Sequence, residues 1–114
     1  MKNLAHADSC SIGSVVDDVK VSVTFRRAHT GVFRVEQNGN PVKPNADGTV
    51  SVGRADRLRG SSILVVTTIN QIGPTQSFEV DYVLQGTTCG PFTVRDTFDD
   101  GDPDVTLKET IGFN

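Results

Sequence analysis

The chain has 114 residues, a formal net charge of −3 and a hydrophobic share of 36%, which suits one domain with one core and excludes a disordered polymer. No apolar run is long enough to cross a bilayer as a helix. An acidic balance without aromatics interleaved among basic residues disfavours nucleic-acid binding.

Valine dominates the aliphatic residues, threonine is common and tryptophan is absent, a composition that favours strands over helices. Residues 1–14 read as an N-terminal extension, partly flexible, and residues 15–114 as a single domain. Met1 to Asp8 contains no apolar stretch of the kind a secretion signal needs. A cytoplasmic location is therefore expected unless a leader has been removed.

The first strong strand is carried by Val19, Val21, Val23 and Phe25, alternating with Lys20, Ser22, Thr24 and Arg26. After a turn at His29-Thr30-Gly31, Phe33 and Val35 mark a second strand that ends at Asn38-Gly39, a strong hairpin signal. Pro41, Pro44 and Asp47-Gly48 break the chain and leave Val42 on a short edge piece at best. Val50 and Val52 form a short third strand. Gly53 to Gly60 reads as a crossover with a single helical turn around Ala55–Leu58.

Ile63 to Ile69 is a nearly continuous apolar and β-branched run, suited to a central strand. Beyond Gly73-Pro74, a fifth strand carries Phe78, Val80, Tyr82 and Leu84 on one face. A loop with Cys89 leads to a sixth strand, Phe92 to Phe98. The seventh carries Val105, Leu107, Ile111 and Phe113 on one face. About seven antiparallel strands with no long helix predict an all-β sandwich of immunoglobulin-like or fibronectin-like Greek-key architecture. The Cys-Trp-Cys pattern of immunoglobulin domains is missing, so this is a reading of architecture alone.

Cys10 and Cys89 can form one bridge, which would indicate an oxidising compartment, or can stand as two reduced thiols. No Cys-x-x-Cys or Cys/His cluster supports zinc or redox chemistry. Charge is uneven along the chain. Residues 20–59 carry eight basic side chains against three acidic, and residues 60–114 carry two against eight. Such a split can steer a protein partner or a second copy, although strands that interleave in space would mix the two halves.

The most concentrated chemical feature is the acidic turn of Asp96, Asp99, Asp100, Asp102 and Asp104. Alternating carboxylates on a bent loop can supply calcium with oxygen ligands, and Asp17 and Asp18 can join them if the strand ends coincide. The turn lacks EF-hand spacing, and turn chemistry alone accounts for its Asp and Gly content. Arg54, Arg57 and Arg59 in the crossover can meet an anionic partner, since guanidinium forks suit carboxylates and phosphates, or can simply be solvated. His6 and His29 have no motif-linked nucleophile, and no nucleophile elbow, P-loop or dinucleotide fingerprint occurs. The expectation is a non-catalytic binding or assembly module that uses loops or an open sheet edge. Its partner would be a protein or another copy. A calcium-dependent carbohydrate or lipid binder is the alternative.

Overall fold

The computed structural model describes residues 1–27 and 29–114. In chain order the elements are β1 (Lys2–Cys10), β2 (Asp18–Phe25), β3 (Thr30–Gln37), β4 (Asn40–Pro41), β5 (Val50–Arg54), α1 (Ala55–Leu58), β6 (Ser62–Asn70), β7 (Ser77–Gln85), β8 (Phe92–Thr97) and β9 (Asp104–Phe113). They build two sheets, of order β1-β9-β6-β3-β4 and β5-β2-β7-β8. The all-β, two-sheet architecture expected from period-two patterning is therefore present, and the single helical turn falls at Ala55–Leu58.

Two strands go beyond the seven expected. One is the two-residue β4, which Asn38 (φ 54) and Gly39 (φ 79) allow to fold back on β3; both positive dihedrals suit a tight hairpin turn. The other is β1. Residues 2–10 pair in parallel along β9, from Lys2 opposite Val105 to Cys10 opposite Phe113. The sandwich is thus not wholly antiparallel. A parallel neighbour cannot be reached by a hairpin, so the chain crosses to the other sheet directly after β1.

The core lies between the sheets. Val19 and Val21 from β2 and Phe78, Val80 and Tyr82 from β7 meet Val65 from β6 and Leu107 from β9, all fully or nearly fully buried. The apolar run of β6 sits between β9 and β3, where a strand with neighbours on both sides needs apolar residues on its inner face. Thr67 on that face shares a 2.9 Å hydrogen bond with the Tyr82 hydroxyl across the sandwich. Burial pushes the Tyr82 phenol well above its ordinary range, and the nearby Glu109 carboxylate adds to the shift.

The sulfurs of Cys10 and Cys89 are joined in a disulfide, which fastens the end of β1 to the β7–β8 connection. At the other end of β1, Lys2 donates to the Thr97 carbonyl at 2.8 Å. The β1 edge of one sheet is thereby held to the β8 edge of the other.

Candidate functional site

Along β9 the inward positions are Val105, Leu107, Glu109, Ile111 and Phe113. Four are apolar, and the fifth is a carboxylate whose side chain is 0% exposed. Burying a carboxylate without partners is costly, and its neighbours come from β1. Strand periodicity sets His6 and Asp8 on one face of β1, and the parallel register places His6 directly opposite Glu109.

The result is a compact polar cluster at the β1–β9 edge. His6 Nδ1 lies 2.7 Å from Glu109 Oε2, at hydrogen-bonding distance. Asp8 Oδ2 is 3.2 Å from the same nitrogen, an ion-pair distance without hydrogen-bond geometry. Asp8 Oδ2 and Glu109 Oε1 are buried and have no hydrogen-bond partner among the described residues. Burial raises the Glu109 carboxyl and neighbouring Asp8 pushes the same way. His6 offsets part of this, leaving the group at about 7. The His6 side chain is 42% exposed, so the cluster opens to solvent through the imidazole.

The acidic turn is used differently. Lys2 Nζ lies 3.3 Å from Asp96 and 3.2 Å from Asp99, and Asp102 meets the Met1 nitrogen at 2.9 Å. Asp100 accepts from Gln76 Nε2 at 3.2 Å, and Asp104 begins β9. The turn therefore fastens the start of β1. Asp17 and Asp18 lie at the opposite end of the sandwich, where Asp18 pairs with Arg54 in the β2–β5 ladder. Among the described residues, the three side chains of metal-ligating type whose ligand atoms converge within 4.8 Å of one another are His6, Asp8 and Glu109.

The arginine group does not converge either. Arg54 makes a two-pronged pair with Asp56, at 3.1 Å on each prong. Arg59 donates to the Gly13 carbonyl, and Arg57 is exposed on α1. The charge halves of the sequence mix in space: Arg26, immediately after β2, meets Glu79 and Asp81 on β7. His29 is buried rather than on the surface. Its Nε2 donates to the Ser77 carbonyl at 2.8 Å, its Nδ1 accepts from the Ile72 amide at 3.2 Å, and its ring meets Phe98 edge-on. It is a strut for the β6–β7 turn.

A shallow groove of about 630 Å³ beside Glu36, Asn38, Ser62 and Thr110 lies elsewhere and lacks a nucleophile–base pair. No family model matches the chain, and it has no significant similarity to a curated protein or a solved structure.

The polar cluster was not singled out from the sequence, although one signal was available. Glu109 interrupts an apolar alternation that holds at the other four inward positions of β9. The partners were harder to find, because β1 lacks an apolar face of its own.

Proposed function

We propose that this chain is a non-catalytic assembly module that self-associates through the free edge of β1. One observation carries the reading: of the four sheet edges, β1 is the one without a guard against strand addition. β4 has two residues and ends in Pro41, and the length of β3 that it leaves uncovered carries the exposed Arg34. β5 carries Arg54, and its ladder with β2 contains a register shift. β8 is short, carries Arg95 on its outer face and follows Pro91. Short length, bulges, prolines and charges are the usual means of blunting an edge.

β1 runs for nine residues, and its outward side chains are Asn3, Ala5, Ala7 and Ser9, all small, uncharged and exposed. Its inward charges already face charged groups inside the sandwich: Lys2 the acidic turn, His6 Glu109, and Asp8 the His6 imidazole. An added strand therefore leaves them as they are. A second copy is the occupant that fits best. Two β1 strands paired antiparallel about His6 set Ala5 against Ala7 of the other copy and join two five-stranded sheets into one, an isologous contact that closes as a dimer.

The immunoglobulin-like or fibronectin-like assignment belongs to the same proposal. It is supported by β3, β6 and β9 lying side by side in one sheet and β2 beside β5 in the other, the neighbour relations of such sandwiches. The β7–β8 hairpin is then an addition on the free flank of β2.

The test is the oligomeric state of the disulfide-intact chain and of the double variant Ala5→Lys, Ala7→Lys, by sedimentation or light scattering over a concentration series. A dimer is expected for the parent chain. In the variant, lysines facing lysines across the pair should give a monomer with an unchanged circular-dichroism spectrum. A parent chain that stays monomeric at high concentration rejects the proposal.

A further inference from the structure

We propose that His6, Asp8 and Glu109 form a binding site for a divalent late first-row transition-metal ion, with zinc as the type case. The donor set is one imidazole and two carboxylates, delivered by two adjacent strands in fixed register. Their ligand atoms all lie within 4.8 Å of one another. A tetrahedral zinc ion with bonds of about 2.0–2.2 Å needs ligand atoms about 3.3–3.5 Å apart. The 2.7 Å and 3.2 Å separations around His6 Nδ1 approach that span, and the third, between the two carboxylates, lies within 4.8 Å.

The second observation is independent of the donor set. Glu109 is fully buried, and among the described residues neither its Oε1 nor the buried Asp8 Oδ2 has a hydrogen-bond partner. Native interiors rarely leave such atoms unsatisfied, and both belong to side chains of the cluster. A divalent ion between them supplies the missing partner and neutralises two adjacent carboxylates. The imidazole selects a borderline metal over calcium or magnesium, which prefer all-oxygen shells. Three protein ligands leave a fourth position for water on the side where His6 meets solvent.

The ion would crosslink the middle of β1 to β9, between the Lys2 contacts and the disulfide. This inference does not depend on dimerisation, because the three ligands come from a single chain and face inward.

The experiment is calorimetric titration of the oxidised chain with zinc ion alone, alongside thermal melts with zinc, calcium and chelator. The Ala5→Lys, Ala7→Lys variant is titrated in parallel, so that a failure of assembly and a failure of metal binding are read separately. One zinc per chain is expected, with a rise in melting temperature that chelator reverses and calcium does not reproduce. Asp8→Asn and His6→Ala, both at partly exposed positions, should keep the fold. Each should weaken binding by more than the roughly 10–100-fold that loss of an outer-shell partner costs. Glu109→Gln should do the same where it folds. Absence of stoichiometric binding at sub-millimolar zinc overturns the proposal, as does zinc binding of equal strength in Asp8→Asn and His6→Ala.

Discussion

At the scale of single residues, the outer face of the four-stranded sheet holds a second buried carboxylate with the opposite character to Glu109. Asp81 accepts from Arg26 Nε, just past the end of β2, and at 2.8 Å from Oγ1 of Thr93, its ladder neighbour on β8. Burial pushes its carboxyl up, but the Arg26 hydrogen bond, the Thr93 hydroxyl and the nearby guanidinium charges outweigh burial and hold it below the ordinary carboxylate range. A carboxyl held low in the folded state contributes stability above its unfolded value of about 3.9. That contribution is lost as pH falls through the lower folded value. Asp81→Asn should therefore flatten the acid limb of the stability curve relative to the parent chain, as read by urea midpoints from neutral pH downward. Arg26→Ala, which leaves the buried carboxylate with Thr93 alone, should lower the urea midpoint at neutral pH. An unchanged midpoint would mean that solvent replaces the guanidinium without loss. The alternation around Asp81 was legible in the sequence, but its burial was not, because it depends on which strands flank β7.

At the scale of elements, the strands with an apolar face were readable and β1 was not. Val19 to Phe25, Ile63 to Ile69 and Val105 to Phe113 announce themselves because each must bury one face against the other sheet. Residues 2–10 place Lys2, Leu4, His6, Asp8 and Cys10 inward, a mixture without an apolar face, because an edge strand facing the gap between sheets has little core to cover. Its attachment comes from polar contacts, the parallel ladder and the disulfide. Reducing the bridge, or replacing Cys89 with Ser, reopens a loop of 79 residues. In the chain-entropy model this costs about 4–5 kcal/mol. Denaturant unfolding with and without reductant should show a loss of a few kcal/mol. Amide exchange should accelerate first in β1, the edge strand whose C-terminal end the bridge fastens. If exchange rises evenly across both sheets instead, β1 unfolds only with the whole domain.

At the scale of the whole molecule, the uneven charge of the sequence and the uncharged edge of β1 make opposite claims about how copies meet. Head-to-tail docking of the Arg54–Arg59 crossover onto the acidic turn of another copy would be electrostatic. The fold weakens that route. Arg54 is already paired with Asp56, Arg59 is used on Gly13, and Asp96 and Asp99 are engaged by Lys2. Mixing of the two charge halves by the β2–β7 ladder further reduces the field either pole can project. Strand addition at β1 relies on backbone hydrogen bonds and on neutral outward side chains, which salt screens little. Raising ionic strength from about 0.01 M to 1 M shortens the Debye length from about 30 Å to 3 Å. A dimer joined through β1 should keep nearly the same dissociation constant across that range in sedimentation equilibrium. A dimer that dissolves as salt rises would instead assign the contact to the charged loops, and in that case Arg57→Glu, rather than Ala5→Lys with Ala7→Lys, would be the variant that abolishes it.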